Sequence, residues 1–438
     1  MIYQGIMNKK KINIAIIGLG QIGSRLYKEI LSKKNDIKIK TGTSINILAI
    51  SAKNINKKRS FTFSRKIFYK NPLLICKNKD IDIIIELIGY SDGISKKVIE
   101  LALKNKKHVI TANKAIIAKH GDNLSLLAEK NKVNLEFEAA VGGGIPILRT
   151  IKDGLSTNKI NKVVGILNGT CNYILSEMEN SQDSFSSVLK RAQSLGYAEP
   201  RNPKFDLNGQ DALSKVRILS ALAFNKKISK SKCLMNGIEG IEIEDIKTAN
   251  KLGYRIKLLG ITELINNQLF ERVHPSLVKG NSYIANINGV MNAVILDGKP
   301  VGQTILQGEG AGPGPTSSAL MSDLLSILRG NIKYPFGIPA IKRKKVASFD
   351  NNKYFNSFYL RLEVKDKRGV LSSISKTFAK NKISIRNLIQ NPDKKNKKAS
   401  VIIISHENSE KNYMNLIKNL STNKFIHKKP IFIRIENT

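Results

Sequence analysis

Three carboxylates and a lysine are concentrated in the stretch LGYAEPRNPKFDLNGQDALSK, residues 195–215. They are Glu199, Asp206, Asp211 and Lys215. The pattern is helical from Gly209 onward, so Asp211 and Lys215, four residues apart, share a helix face. The carboxylates suit a substrate with an ammonium group, and the lysine suits an oxygen on which negative charge develops. A solvated loop followed by an ordinary salt bridge is the alternative.

A second lysine, Lys114, lies in TANK just after the predicted strand Lys107–Ile110. A surface lysine in a first helical turn is the alternative, but a cation there is mildly unfavourable. If Lys114 and Lys215 face one site, their mutual repulsion should lower the pKa of at least one of them.

The elements that must position these residues begin with Lys11–Leu19, a short apolar run typical of a buried parallel strand. The turn GLGQIG and a helical segment from Ser24 to Lys33 follow. Strand, glycine turn and helix in this order predict a dinucleotide site at the pyrophosphate. The residues of the turn predicted to bind the cofactor are Gly18, Gly20, Gln21, Ile22 and Gly23. A generic strand-to-helix turn is the alternative.

The next strand, Ile45–Ile50, ends without the acidic residue that holds the ribose 2′-hydroxyl of NAD. Lys53 stands there, and Lys57, Lys58 and Arg59 follow. This favours the 2′-phosphate of NADP(H), with NAD(H) as a second possibility. With a further buried strand at Ile81–Ile88, the sequence predicts an α/β protein with a Rossmann-type doubly wound parallel sheet.

Two glycine-dense segments lie further along the chain. In LEFEAAVGGGIPIL, Glu138 precedes Gly142–Gly144, whose backbone carbonyls suit a hard cation or simply a tight turn. The loop Gly308–Thr316 must bring its backbone close to another group, and the helix Ser317–Leu328 follows it.

After a basic linker the predicted elements follow the order βαββαβ, which indicates a ferredoxin-like unit with a regulatory or dimerising role. Its predicted strands are Phe358–Val364, Ile383–Gln390, Ser400–Ser405 and Ile431–Ile435, and its predicted helices are Val370–Lys380 and Ser409–Leu420.

The net charge of +39, from 73 Lys+Arg against 34 Asp+Glu, would suit a nucleic-acid partner. The lysines are scattered over the whole chain, however, and aromatic residues make up only 6% with no Trp. We therefore expect no nucleic-acid partner. The run KRKK at 342–345 is interpreted as a solvated linker.

Three cysteines, Cys76, Cys171 and Cys233, lie far apart with no CxxC pair, which favours a reducing cytoplasm. The N-terminal segment is polar and basic, unlike a signal peptide, and no apolar run has the length of a membrane span. We expect a cytoplasmic protein that does not bind membranes.

Taken together, these motifs resemble homoserine dehydrogenase with a C-terminal ACT domain. The resemblance covers nearly the whole chain. It is carried by GLGQIG (18–23), ELIG (86–89), TANKA (111–115), EAAVGGGIPIL (138–148), NGTCNYIL (168–175), LGYAEP (195–200), DLNGQDALSK (206–215) and GAG (310–312). Ten residues precede the first predicted strand, so a monofunctional chain without the kinase domain fused in some members is implied.

The resemblance implies hydride transfer between NAD(P)H and aspartate 4-semialdehyde, giving L-homoserine in threonine, methionine and isoleucine biosynthesis. It makes Lys215 the proton donor with Asp211 beside it, and places Lys114 between nicotinamide and substrate. Glu199 and Asp206 would hold the amino end of a small amino-acid substrate.

The resemblance also places Ile88, Lys114 and Gly310 at the cofactor. It implies a site for a monovalent cation such as Na⁺ at the backbone of Glu138, Val141, Gly143 and Ile145. Threonine is the implied effector of the ACT domain, and a homo-oligomer, dimer or tetramer, is implied.

The expected domains are an NAD(P)-binding Rossmann domain (1–135), an α+β substrate-binding, catalytic and dimerisation domain (136–340) whose last part packs back on the first, a basic linker (341–352) and an ACT regulatory domain (353–438).

Three departures from the family pattern bear on function. The segment PRNPKF makes the loop between Glu199 and Asp206 one residue longer than usual, with Arg201 where an acid is common. Cys171 replaces a usual threonine, as an isostere or as a thiol sensitive to oxidation. In the ACT loop, Arg368 replaces a proline, which increases the loop's freedom and would weaken feedback.

Two other functions remain open from the residues alone. One is another Rossmann oxidoreductase of similar build, and the other is a basic binding protein with a vestigial cofactor domain, for which salt-dependent nucleic-acid retention without turnover is expected.

Overall fold

A parallel sheet with helices on both faces forms the N-terminal part of this computed structural model, which describes residues 9–59, 61–331, 333–393 and 397–437. The sheet has six strands in the order β3-β2-β1-β4-β5-β6. The strands are β1 (Lys11–Ile17), β2 (Ser44–Ser51), β3 (Phe68–Tyr69), β4 (Ile83–Glu86), β5 (His108–Thr111) and β6 (Leu135–Glu136). The helices are α1 (Gln21–Ser32), α2 (Lys34–Thr41), α3 (Pro72–Lys77), α4 (Ile94–Lys104) and α5 (Lys114–Lys130).

The central strands of this sheet are buried on both faces, as their continuous apolar sequences predict. Ile14 and Ile83 on one face and Ala15 and Ile84 on the other face are all fully buried. The strand order reverses between β1 and β4, so a crevice forms beyond the carboxyl ends of these strands. The predicted doubly wound sheet is confirmed.

The glycine turn between β1 and α1 depends on two close backbone approaches. Gly18 has a φ of +108°, which favours glycine, and it lies against the backbone of Leu87. A Cβ at Gly23 would collide with the carbonyl oxygen of Gly18, whereas a Cβ at Gly20 would meet no atom within 4 Å. Helix α1 begins at Gln21, three residues before the predicted start, because the turn itself leads into the helix.

A second, mixed sheet follows, with neighbours in the order β12-β11-β7-β9-β10 and β8 beside β10. Its strands are β7 (Lys159–Ile166), β8 (Leu234–Met235), β9 (Tyr254–Ile265), β10 (Gln268–Lys279), β11 (Met291–Lys299) and β12 (Gly302–Glu309). The helices of this part are α6 (Ile147–Arg149), α7 (Gly169–Ser181), α8 (Phe185–Ser194), α9 (Lys204–Leu207), α10 (Gln210–Ala223), α11 (Ile243–Lys251) and α12 (Pro313–Leu328).

Helix α12 returns to the first sheet. Its buried residues Leu320 and Leu324 share a hydrophobic core with Leu26 and Ile30 of α1. The two sheets are thereby held on either side of one crevice.

The C-terminal part is the expected ferredoxin-like unit. Its elements are β13 (Phe355–Lys365), α13 (Val370–Lys380), β14 (Ile385–Asp393), β15 (Lys398–Ser405), β16 (Asn408–Ser409), α14 (Glu410–Ser421) and β17 (Ile431–Ile435). Strand β17 pairs in parallel with β10, so this unit and the second sheet form one continuous sheet of eleven strands.

The segment that connects the two parts is not solvated throughout, and the sequence-based interpretation of residues 342–345 was wrong at Arg343. Arg343 is 1% exposed, stacks 4.0 Å from the ring centre of Phe336 and forms an ion pair with Asp122. Lys342, Lys344 and Lys345 are exposed. A run of four basic residues does not show which one turns inward, because this depends on a carboxylate distant in sequence.

Within the described residues no helix is long and apolar enough to cross a membrane. Cys76, Cys171 and Cys233 are free thiols.

We predict that Gly23→Ala lowers the melting temperature, because the added methyl group must displace the Gly18 carbonyl at a cost of about 1–3 kcal/mol. Gly20→Ala is the matched control and should melt like the wild type, since its Cβ points into open space. Thermal denaturation followed by circular dichroism measures both. Equal melting temperatures for the two variants would contradict this account.

Candidate active site

Helix α10 carries two of the predicted catalytic residues on its buried face. It begins after Gly209, whose φ of +90° turns the chain sharply into the helix. The Nζ of Lys215 donates to Oδ2 of Asp211 at 2.7 Å and to the carbonyl oxygen of Leu167 at 2.5 Å. Both side chains are buried, so the predicted helix-face pair is an internal ion pair rather than a solvated salt bridge.

Lys114 joins this pair from the other side of the crevice. It is the first residue of α5, and its Nζ lies 2.7 Å from Oδ1 of Asp211. One carboxylate thus bridges two lysines that come from different helices, α5 and α10.

A buried hydrogen-bond network fixes the chain just before Lys114. The Asn113 side chain caps α5 by accepting from the Ile116 N–H, and its amide donates to Ser95. The carboxylate of Glu86 accepts from the hydroxyls of Ser95 and Thr111 at 2.5 and 2.7 Å. The sequence analysis missed this role of Glu86 and Asn113, although both lie within the quoted motifs ELIG and TANK.

Asp206 reaches the cluster through Asn168, a second residue that the sequence analysis did not single out. The Asn168 amide donates to Oδ1 of Asp206 at 2.9 Å and to Oδ2 of Asp211 at 3.0 Å. Its side-chain oxygen accepts from the N–H of Cys171 and so caps α7. The start of the NGTCNYIL motif was the available signal, because Asn before a helical segment is a strong cap.

The charges in the cluster shift one another's pKa. Burial lowers the pKa of Lys215, Asp211 raises it, and Lys114 lowers it further, with a net lowering. For Lys114, burial is outweighed by Asp211, and the pKa is raised. Burial opposes ionisation of Asp211, but the two lysines prevail and lower its pKa. The expected depression of one lysine pKa is confirmed, although its main cause is burial rather than the second lysine.

Asp206 is a partly buried carboxylate with an elevated pKa. Burial and the neighbouring charge of Asp211 are the two main causes. A cation placed beside Asp206 would stabilise its charged form and so offset both effects, which suits this group to binding an ammonium group.

Cys171 packs inside this cluster. Its thiol is buried and lies 3.4 Å from the carbonyl oxygen of Asp206, and burial raises its pKa well above the ordinary value. Since the reactive form of cysteine is the thiolate, the structure favours the isostere interpretation over an oxidation-sensitive thiol.

Glu199 lies outside the cluster. Its side chain is exposed and has no hydrogen-bond or ion-pair partner among the described residues, while its carbonyl accepts from Gln193. The structure therefore does not bring Glu199 into contact with Asp206, Asp211 or Lys215, and its substrate-binding role stays a prediction.

A basic cavity of about 470 Å³ opens at the glycine turn. Its lining residues are Leu19, Gly20, Gln21, Ser24, Arg25, Lys28, Glu29, Lys57, Lys58 and Arg59. The open space at Gly20 and the N-terminus of α1 fit the phosphates of a dinucleotide. Lys53 is exposed and lies outside this lining, so the cations near the turn are Lys57, Lys58 and Arg59 rather than Lys53.

The other predicted cofactor residues lie around the turn and the end of β4. The turn itself contains Gly18 and Gly23, which lie against each other, and Ile22, which packs against the hydrophobic core. The N–H of Ile88 donates to the Glu86 carboxylate at 2.8 Å.

The predicted cation segment is a tight turn. Gly142 and Gly143 have φ values of +74° and +54°. The carboxylate of Glu138 is directed away from this turn, because it accepts from the N–H groups of Leu148 and Arg149. Backbone carbonyls of this segment, such as those of Val141 and Ile145, are the ligand type that a hard monovalent cation prefers, and the side chain of Glu138 is already occupied.

Two glycine segments meet against an asparagine. A Cβ at Gly143 would lie 2.6 Å from the carbonyl oxygen of Gly310, and Gly310 itself lies directly on the amide of Asn292. Asn292 is 1% exposed, and neither of its amide atoms has a hydrogen-bond partner among the described residues. The glycines are therefore required by close packing, as the density of glycine in the loop at 308–316 predicts.

A doubly wound sheet with a glycine turn suited to phosphates, facing a Lys–Asp–Lys cluster in which Asp211 and Lys215 are buried, is the arrangement of an NAD(P)-dependent oxidoreductase. Comparison with known proteins specifies it further. The homoserine dehydrogenase NAD-binding domain matches residues 18–138, the homoserine dehydrogenase family matches residues 146–325, and the ACT domain matches residues 358–421.

Curated relatives and solved structures agree with these domains. Homoserine dehydrogenase from Neisseria gonorrhoeae is 38% identical over 98% of this chain and 99% of its own length. The Helicobacter pylori enzyme is also 38% identical, over 98% of this chain and 100% of its own length. The crystal structure of a homoserine dehydrogenase from Thiobacillus denitrificans covers 98% of this chain and 99% of its own, with 35% identity and a TM-score of 0.89.

The chain belongs to the homoserine dehydrogenase family, with an NAD-binding domain, a catalytic domain and an ACT domain. It is an NAD(P)-dependent oxidoreductase that acts on a CH–OH group.

We predict that iodoacetamide at pH 8 modifies Cys233 before Cys171 in the native protein. Both thiols have a raised pKa, that of Cys233 to about 11, but Cys233 is partly exposed and Cys171 is buried. Peptide mass spectrometry after timed quenching gives the two rates, and the protein unfolded in urea is the control, in which the rates should converge. Faster labelling of Cys171 in the native state would contradict the packing described.

Proposed function

We propose that this protein interconverts L-aspartate 4-semialdehyde and L-homoserine with NADP(H), and that Lys215 is the proton donor. The observation that carries the proposal is the Lys114–Asp211–Lys215 cluster at the edge of the crevice, with Asp206 joined to it through Asn168. An ammonium group, at Asp206, and a carbonyl oxygen, at the lysines, are the two substrate groups that such a cluster would bind.

Asp206 is the proposed partner of the substrate ammonium. Its Oδ1 is held by the Asn168 amide, so the carboxylate keeps a fixed orientation when the substrate arrives. Its raised pKa returns toward the ordinary value once a positive charge lies beside it. This makes binding of the charged amino end favourable, while Asp211 is already neutralised by two lysines.

Lys215 is the proposed donor to the carbonyl oxygen of the substrate. Its ammonium group is aimed by two acceptors, Asp211 and the Leu167 carbonyl. Because burial lowers its pKa, it gives up a proton more readily than an exposed lysine, and Asp211 keeps it protonated beforehand. The cofactor, when bound, supplies the hydride. Lys114 adds a second positive charge near the oxygen on which negative charge develops.

The proposed preference for NADP(H) rests on the cavity at the glycine turn. Lys57, Lys58 and Arg59 line it together with Arg25 and Lys28. Arg59 is oriented by three backbone carbonyls, those of Asn54, Ile55 and Lys57. A cluster of five cations around one cavity favours a cofactor with an additional phosphate.

Five finer properties belong to the same proposal. A monovalent cation such as Na⁺ would bind carbonyls of Glu138, Val141, Gly143 and Ile145. An amino acid, threonine by resemblance, would bind the ACT loop near Arg368, where α13 starts after Gly369 with a φ of +84°. The protein would act in the cytoplasm, in threonine, methionine and isoleucine biosynthesis, as a homodimer or homotetramer.

The first test is the initial rate of NADP⁺ reduction with L-homoserine, repeated with NAD⁺. We expect turnover that prefers NADP⁺ and that falls by about 10²–10⁴-fold in Lys215→Ala, the usual size of a proton-transfer contribution. Lys226→Ala, which removes an ordinary lysine outside the cluster, is the control and should keep the wild-type rate. Folded protein without turnover on either cofactor would refute the proposed reaction, and salt-dependent retention on nucleic acid would then favour a binding protein.

The pH dependence of the reverse reaction tests the proton donor. Reduction of the aldehyde needs protonated Lys215, so its rate should fall as the pH rises through the pKa of this group. Lys114→Met removes a neighbouring cation that lowers this pKa, so the decline should move to higher pH. Asp211→Asn removes the carboxylate that raises it, so the decline should move to lower pH. Profiles of the residual activity that do not move in opposite directions would exclude Lys215 as the titrating donor.

A further inference from the structure

The last strand of the ACT domain carries an arginine that faces the catalytic part. Strand β17 lies beside β10, and its Arg434 is 3% exposed. The Arg434 guanidinium pairs with the Glu410 carboxylate, with Nε 3.0 Å from Oε2. Its Nη1 donates to the side-chain oxygen of Asn236 at 3.2 Å. Asn236 belongs to the catalytic part, so this contact crosses between the two parts of the chain.

The segment that begins at Asn236 is attached to β10 on one side. Its N–H donates to the Val273 carbonyl at 2.8 Å, continuing the pairing of β8 with β10. Arg434 and Val273 thus hold Asn236 from two directions.

On its other side, the same segment holds the turn that follows Asp206. The N–H of Ile238 donates to the carbonyl of Leu207 at 3.0 Å, and Gly237 lies directly against Leu207 and Asn208, with no space for a Cβ. Gly209, the residue from which α10 starts, also lies against Val273, which a Cβ would approach to 3.1 Å. The chain from Leu207 to Gly209 connects the proposed ammonium-binding Asp206 with the helix of Asp211 and Lys215.

We propose that Arg434 is a positioning residue for the substrate site. It acts through Asn236 and the adjoining Gly237 and Ile238 on the turn Leu207–Gly209, and thereby sets the place of Asp206 relative to α10. The proposal rests on the proposed function in so far as Asp206 binds the substrate. It makes the ACT domain a part of the catalytic scaffold.

A second arginine of the ACT domain offers a matched comparison. Arg361 of β13 is also buried, with 6% exposure, and its Nε lies 2.6 Å from Oδ1 of Asp245 in α11. Tyr359 donates to the same carboxylate. Arg361 also pairs with Glu242 at 3.1 Å, so it joins the same two parts of the chain, but among the described residues none of its hydrogen bonds or ion pairs reaches the segment from Asn236 to Ile238. A merely structural role of the ACT contact predicts equal effects at both arginines.

The test compares two charge-balanced double variants of the full-length protein, Arg434→Met with Glu410→Gln and Arg361→Met with Asp245→Asn. Removing both charges of a pair avoids an unpaired buried charge. Hydrogen–deuterium exchange of the peptide that covers residues 204–209 is the first readout. The second is the steady-state kinetics with L-homoserine, together with the dissociation constant of NADPH from fluorescence.

For the Arg434 pair we expect exchange in residues 204–209 and the KM for L-homoserine to rise by about threefold to tenfold, the usual range of coupling through a packed network. The NADPH dissociation constant and kcat should change less than twofold. The Arg361 pair should leave the exchange of this peptide and the KM at wild-type values, even if its melting temperature falls equally.

Equal effects of the two pairs on residues 204–209 would overturn the proposal. If the double variant Arg434→Met with Glu410→Gln does not fold, the single variant Asn236→Ala takes its place in the exchange experiment. The Asn236 side chain is exposed, and its removal leaves the Arg434–Glu410 ion pair intact. Wild-type exchange at residues 204–209 in this variant would likewise overturn it. Absence of wild-type turnover would refute the proposed function instead, and the exchange result would still decide the coupling.

Discussion

The ionised carboxylate of Asp211 is the constraint on which the site depends. It is 2% exposed, and it remains charged only because Lys114 and Lys215 lie 2.7 Å from its two oxygens. Without it, two ammonium groups would face each other across the crevice, and their repulsion would lower the pKa of both. The carboxylate of Asp211 therefore offsets the repulsion between the two lysines and lets both of them lie at one site.

This constraint requires residues of the first sheet's part and of the second sheet's part of the chain to lie within hydrogen-bond distance of each other. Lys114 starts a helix after a strand of the first sheet, and Asp211 lies on a helix packed on the second. Helix α12, which returns to the first sheet, and the buried Arg343–Asp122 contact hold the parts together. Lys114 is the first residue of α5, which Asn113 caps, and Lys215 lies in α10, which begins after the turn at Gly209. Small changes in the loops before these two helices would therefore alter the distance between the two lysines.

The C-terminal domain shares in this architecture. Its last strand extends the catalytic sheet, and two buried arginines anchor it there. A ferredoxin-like unit attached only by a solvated linker would be free to move as a rigid body. In this protein the pairing of β17 with β10 instead makes the unit part of the same sheet as the catalytic part. Any ligand of the ACT domain would therefore act on a rigidly connected scaffold.

The sequence by itself determined the parallel sheet, the glycine turn, the ferredoxin-like unit and the pairing of Asp211 with Lys215, because periodicity and short spacings are local properties. Only the tertiary structure decided that Lys114 shares Asp211, that Asn168 joins Asp206 to it, that Arg343 is buried and that Glu199 lies apart. These contacts depend on which loops meet across the crevice. The spacing of residues along the sequence does not show which distant loops come together. The scattered lysines illustrate the limit, since the same residue type is exposed at Lys344 and buried at Lys215, where Asp211 and the Leu167 carbonyl accept hydrogen bonds from its ammonium group.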